Sequence, residues 1–327
     1  MAGIDLHAHL APALDGATIA ALDGVEATAD GRLALDGETS GPPNLYRAER
    51  LVAALSRNGL DAATVSVPPP FFRQRLPARL AAPWTQALNA GIIARTMEHP
   101  RLLPLAYLPL EHPALALAEY ERVRDEPAFV GVVGSAGGAS ASLADAELAP
   151  LWRLLDADGR LLLLHPGNAP DPRLDAFYLG NLLGNPVETS VAAAQLVFGN
   201  VLARHPRMRV LLVHCGGCVP VLVGRWARGL ATARPGVDAA IEPPHDAVRR
   251  LFVDCLAHDP AVVDLAAATF GEDKLVLGSD WPFPMGLDDP RTAVAHREAA
   301  FARRVAVDNA TAALGRLASM QLQITTS

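Results

Sequence analysis

Along the chain, short apolar runs rich in Val, Ile and Leu, bounded by Gly, Pro or Asp, alternate with longer stretches whose apolar residues recur at helical spacing. Eight runs have the strand pattern: residues 4–9, 62–67, 102–108, 129–133, 161–165, 210–214, 251–255 and 275–279. Helical spacing is clear at 51–58, 143–158, 187–204, 219–231 and 260–270. Several strands are apolar on both faces, as in a parallel sheet covered by helices. Eight βα units predict an α/β fold, a (β/α)8 TIM barrel, with a doubly wound open sheet as the alternative. Residues 11–46 break the rhythm. Their Gly/Asp-rich turns surround short alternating runs (VEATADG, RLALDG), which predicts a small β-hairpin insertion after strand 1. No linker interrupts the pattern, so residues 1–327 are expected to form one barrel domain.

Composition narrows the function. Half of the 327 residues are hydrophobic and 19% are charged, enough for a large core and unlike a disordered chain. With 28 basic against 35 acidic residues the net charge is −7, which offers no field for a nucleic-acid partner. No apolar run has membrane-spanning length, so no membrane is expected. The opening MAGIDLHAHL places an aspartate and two histidines where a secretory signal needs unbroken apolar residues. Three cysteines do not make a disulfide framework, and a cytoplasmic location is expected.

The positions of the polar residues within the strands carry the chemistry. His7 and His9 end the first strand, His165 the fifth and His214 the sixth, and Asp280 follows the eighth. A barrel gathers all C-terminal strand ends on one face. A lone histidine in an apolar strand is more often a hydrogen-bonded core residue, but five coincidences at one face point to a site. His7 and His9, two apart on a strand, face the same way and can reach one ion. Imidazoles and a carboxylate suit zinc, with manganese or iron as alternatives. His99, His112, His205, His245 and His296 fall outside this pattern and are expected at the surface or at caps. His258, just after strand seven, is a candidate for the surroundings of the site.

The strings DLHAHL, LLLLHPG, LLVHCGG followed by VPVLVGRW, and LGSDWPFPMG closely resemble the amidohydrolase superfamily, over nearly the whole chain. Within it they resemble the branch of α-amino-β-carboxymuconate-ε-semialdehyde decarboxylase. The resemblance implies one divalent metal ion, zinc before manganese, held by His7, His9, His165 and Asp280. It implies that His214 is an acid/base residue rather than a ligand. Binuclear relatives bridge two metals with a carboxylated lysine at the end of strand four. Here that segment reads VGVVGSAGG, and the only lysine, Lys274, opens strand eight at the opposite end, so a mononuclear site is expected.

The resemblance also implies a metal-dependent decarboxylase of a small unsaturated or aromatic carboxylate, with hydrolysis or hydration on the same scaffold as the alternative. Arg225, eleven residues after His214, matches an arginine that reaches into the neighbouring subunit's site to hold a carboxylate, so a homodimer is expected. Arg47 is a candidate second clamp, since guanidinium groups bind carboxylates bidentately. Trp281 and Phe283, and also Phe71 and Phe72, are candidate pocket walls. The branch's usual HPW is His165-Pro166-Gly167 here, which removes one aromatic wall. Cys215 and Cys218 in CGGC are expected to be thiols lining a turn, because structural zinc needs four ligands.

Overall fold

The computed structural model describes residues 2–138, 142–167 and 169–315. Its elements in chain order begin with β1 (Ile4–His9), α1 (Gly16–Ala21), β2 (Val25–Ala27), β3 (Leu33–Leu35), β4 (Glu38–Thr39), α2 (Ala48–Arg57) and β5 (Ala62–Ser66). They continue with α3 (Ala78–Thr96), β6 (Leu102–Tyr107), α4 (Pro113–Val123), β7 (Gly131–Ala136), α5 (Ala149–Asp158), β8 (Leu161–Pro166), α6 (Asn185–Phe198) and α7 (Val201–Arg204). The last are β9 (Arg209–Leu212), α8 (Val219–Ala231), α9 (Pro244–Val248), β10 (Phe252–Asp254), α10 (Pro260–Phe270), β11 (Leu275–Val276) and α11 (Ala299–Arg303).

Eight strands pair in parallel in the order β1-β5-β6-β7-β8-β9-β10-β11. The chain after β11 then returns to β1: the Leu6 amide donates to the Leu277 carbonyl at 2.9 Å, and that of His9 to Trp281 at 2.8 Å. These bonds close the ring as a (β/α)8 barrel. β1, β5, β6, β7 and β8 are buried throughout. Their outward residues meet helices whose apolar stripes face in, as Leu51, Ala54 and Leu55 of α2 do. Local signals set the helix ends. Asp259 caps α10 ahead of Pro260, and Gly159 ends α5 in the left-handed region at φ 59°.

The insertion is one strand richer than a hairpin. β2, β3 and β4 form a three-stranded antiparallel sheet, and a two-residue turn at Asp36 (φ 51°) and Gly37 (φ 87°) joins β3 to β4. Two positive φ values are what a tight hairpin turn requires, and Asp-Gly supplies them cheaply. The predicted helix at 187–204 is broken: α6 ends at Phe198, Asn200 turns left-handed at φ 51°, and α7 follows. Among the described residues no helix is long and apolar enough to cross a membrane.

Candidate metal centre and catalytic cleft

Alternation along β1 puts Asp5, His7 and His9 on the face opposite Ile4, Leu6 and Ala8, and all six are buried. An apolar strand thus carries a polar inner edge. Its two imidazoles meet a carboxylate from the far end of the chain. His7 Nε2 lies 3.1 Å from His9 Nε2 and 3.5 Å from Asp280 Oδ1, and His9 Nε2 lies 3.1 Å from the same oxygen. The His165 ring centroid is 5.1 Å from that of His7 and 4.9 Å from that of His9. His214 Nε2 stands 3.9 Å from Asp280 Oδ2. All five candidate donors converge where the strands end.

The arrangement fits a single ion. Bonds of about 2.0–2.1 Å in tetrahedral geometry separate neighbouring donors by roughly 3.3 Å. The contacts among His7, His9 and Asp280 cluster around that spacing. A looser quartet of His7, His165, His214 and Asp280 has donor atoms within 4.8 Å of one another. The shorter contacts favour His9 over His214 as a ligand. Each imidazole's other nitrogen is engaged: His7 Nδ1 by Asp254 Oδ2 at 2.8 Å, His9 Nδ1 by Ser66 Oγ at 3.0 Å, and His165 Nδ1 by the Pro166 carbonyl at 3.1 Å. With Nδ1 assigned as donor, each ring keeps its Nε2 lone pair for a metal. His165 Nε2 is buried without a hydrogen-bond partner, which costs about 1–3 kcal/mol unless an ion occupies it.

Electrostatics act in the same direction for most of the donors. Burial, then the charges of His9, His7 and His214, hold His165 well below its usual pKa, and burial chiefly lowers His9. Neutral rings can coordinate. Burial would also lower His7, but the Asp254 hydrogen bond and the charges of Asp280 and Asp254 outweigh it and raise its pKa. For Asp280 burial alone would raise the pKa, yet the neighbouring imidazoles of His214, His9 and His7 outweigh it and hold it well below the carboxylate range.

The backbone here is strained. His214, Cys215 and Asp280 have φ of 54°, 55° and 54°, left-handed values that cost non-glycine residues about 1–3 kcal/mol each. Hydrogen bonds hold them: the Asp280 amide donates to the His7 carbonyl at 2.8 Å, and the His214 and Cys215 amides donate to the Asp254 carboxylate. Gly278 lets these pieces approach, because a methyl there would sit 2.7 Å from Cβ of Asp254 and 2.9 Å from Cβ of His7.

His165, His214 and Asp280 open onto a cleft of about 540 Å³ whose walls include Pro69, Pro70, Leu174, Tyr178, Phe283 and Met285. The Phe283 ring centroid is 5.6 Å from that of His9. Trp281 does not line this cleft: it is half-buried, its amide donating to Ser279 Oγ and its carbonyl accepting from His9. Phe71 is a core residue stacked on Trp84, whereas Phe72 stacks on Tyr107 with its ring 6.3 Å from His165. Arg47 and Arg225 are exposed and do not reach the cleft of their own chain. Among the described residues no arginine or lysine lines it.

The other histidines stand apart. His112 bonds the Leu76 carbonyl and His296 pairs with Asp264, while His258 is exposed at φ 56° outside the converging donors. Burial raises the Cys215 thiol well above its usual pKa, the reverse of a reactive thiolate. A hollow of about 970 Å³ at the other end of the barrel, beside Arg209 and Lys274, contains none of the candidate donors. Sequence reasoning missed Ser66, the Asp5–Ser279 pair and Asp254. The signal for Asp254 was present, an acid at the end of the otherwise apolar seventh strand.

The model of the family described as Amidohydrolase matches residues 4–316. A 2-amino-3-carboxymuconate-6-semialdehyde decarboxylase from Dictyostelium discoideum is 29% identical over 247 residues, which is 74% of this chain and 68% of that protein. A 2-keto-4-carboxy-3-hexenedioate hydratase from Sphingobium sp. is 27% identical over 232 residues, covering 65% of this chain and 62% of that one. Among solved structures, a dihydroxybenzoic acid decarboxylase from Polaromonas sp. JS666 with bound manganese and the inhibitor 2-nitroresorcinol superposes with a TM-score of 0.75. It is 19% identical and covers 95% of this chain and 96% of that one.

Proposed function

Since the chain belongs to the amidohydrolase family, we propose that it is a metal-dependent carboxy-lyase that removes CO2, without oxidation, from a small unsaturated or aromatic carboxylate. The observation that carries the reading is the donor cluster of His7, His9, His165 and Asp280, with a further imidazole, His214, 3.9 Å from Asp280 at the mouth of a cleft walled by both apolar and polar side chains. When bound, a divalent ion, zinc or manganese, supplies Lewis-acid polarisation of substrate oxygens.

The protein's own residues supply the rest. The bond from carbon to carboxylate breaks, its electron pair stays on carbon, and a proton delivered from His214 Nε2 takes up that pair. An imidazole is suited to this transfer near neutral pH. Phe283 and the proline-rich wall exclude water around a substrate ring, which strengthens the electrostatic interactions inside. Water addition is the second reading, supported by the similarity to the hydratase. Incubating zinc- and manganese-loaded enzyme with a panel of unsaturated and aromatic carboxylates separates the two: CO2 release supports the proposal, and product gaining water without CO2 refutes it.

We also propose a homodimer in the cytoplasm. Among the described residues the cleft has no arginine or lysine to add to the metal's hold on a substrate carboxylate. Arg225 lies four residues after Val221 on α8, on the same exposed side. The first turn of α8 hydrogen-bonds α6 through the Cys218 amide and Ser190 Oγ at 2.8 Å. Exposed Phe177, Tyr178, Leu182, Leu183 and Val191 form an apolar stretch on and before α6, of a kind that marks association surfaces. In this reading Arg225 of each protomer clamps the substrate of the other, and Arg47 stays a second clamp supplied by the same assembly. All three thiols are free, as suits a reducing compartment.

A further inference from the structure

Asp254 ends β10 with its side chain fully buried and has no arginine or lysine partner among the described residues. Its carboxylate instead meets four N–H groups from three segments of the chain. Oδ2 accepts from His7 Nδ1 at 2.8 Å and from the His214 amide at 3.1 Å. Oδ1 accepts from the Cys215 amide at 2.8 Å and the Leu256 amide at 3.1 Å. An ionised carboxylate offers about four acceptor sites and no donor. Each site is therefore used, and the imidazole must donate.

We propose that Asp254 is a positioning residue that fixes the Nδ1–H tautomer of His7, so that Nε2 keeps its lone pair for the metal, and with the same carboxylate clamps the turn that presents His214. The inference rests on the metal site of the proposed function. One group thereby sets both the ligand and the proton donor: the three backbone amides hold the carboxylate in place, and the carboxylate holds the ring. The left-handed turn at His214 and Cys215 persists because its amides have this acceptor. Gly278 leaves just enough room for His7 and Asp254 to lie side by side.

The substitution Asp254→Asn tests this. Its single amide oxygen can serve the Cys215 and Leu256 amides, but its NH2 then faces His7 Nδ1, and only an Nδ1 lone pair can receive it. His7 would carry its proton on Nε2, and the metal would lose a ligand. Two measurements read this. Long-range proton–nitrogen NMR of histidine-labelled, metal-free protein, recorded at a pH where the His7 ring is neutral and assigned with His7→Gln, should show Nδ1–H at His7 in the wild type and Nε2–H in D254N. Titration with Mn2+ should show affinity falling about 10- to 100-fold in D254N, as expected when an outer partner of a ligand is lost.

Asp5→Asn is the comparison. Asp5 is equally buried and accepts the His7 amide at 3.0 Å, but it touches no imidazole, so D5N should keep the Nδ1–H tautomer whatever it does to stability. Wild-type His7 protonated on Nε2, or D254N binding Mn2+ within twofold of wild type with its tautomer unchanged, overturns the proposal. Should D254N fail to fold, the wild-type tautomer decides alone. A wild-type chain that binds neither Mn2+ nor zinc refutes the metal reading instead, while the NMR arm still decides the role of Asp254.

Discussion

His9 and His214 compete for one role, and a pair of substitutions separates them. His9 Nε2 lies 3.1 Å from both His7 Nε2 and Asp280 Oδ1, near the roughly 3.3 Å expected of donors sharing an ion, whereas the closest approach of His214 to Asp280 is 3.9 Å. His214 also has φ 54°, where alanine would add backbone strain but asparagine is tolerated, so the informative change is His214→Asn. This variant should keep close to one metal per chain, because His7, His9, His165 and Asp280 remain. Its kcat should fall about 10²- to 10⁴-fold, the usual contribution of a positioned acid/base group, equivalent to ~2.7–5.4 kcal/mol of transition-state stabilisation. His9→Asn should lose metal and activity together. Elemental analysis after removal of free metal, with circular dichroism as the check on folding, reads the first quantity, and CO2 release reads the second. If H214N folds but loses its metal while H9N keeps it, the ligand set is His7, His165, His214 and Asp280, and the assignment of His214 as acid/base is wrong.

Removing the ion with a chelator should abolish CO2 release while leaving the barrel folded, and one equivalent of zinc or manganese should restore it; activity unaffected by complete metal removal would refute the mechanism. For the dimer, mixing inactive Arg225→Ala chains with inactive H214N chains should regenerate activity through heterodimers with one complete site, and confirmed subunit exchange without recovery would place Arg225 outside the reaction. Away from the site, burial pushes Glu111 up to about 7, with Oε2 lacking a hydrogen-bond partner and Oε1 3.3 Å from the Tyr107 hydroxyl. A carboxyl with a folded pKa above its unfolded value holds extra proton in the native state, so stability falls as pH rises from about 4.5 to about 7. Glu111→Gln should therefore match wild type near pH 4 in urea unfolding and exceed it by up to roughly 3 kcal/mol at pH 8; an equal difference at both pH values would exclude this origin.

The barrel was legible because its signal is local and repeated. Apolar runs bounded by turn residues mark each strand, and the intervening helical spacing dictates parallel crossovers. The same rule exposed the donors, since a polar residue ending an apolar strand stands out wherever the strand lies: His7 and His9 by their alternation, His165, His214 and Asp280 by position. What surrounds those donors was not legible. Asp254 is one acid in one strand until closure of the sheet brings His7, 247 residues away, to 2.8 Å. Ser66 and Ser279 are ordinary strand-end serines until β1 runs between them and they bond His9 and Asp5. Nor could the chain order tell that Phe71 packs into the core while Phe283 faces the cleft, that Trp281 turns away, or that Arg47 and Arg225 stay outside. Strand periodicity is fixed by neighbours two residues apart, but hydrogen-bond partners and cleft walls are chosen by the register and closure of eight strands, quantities that exist only once the whole ring has formed.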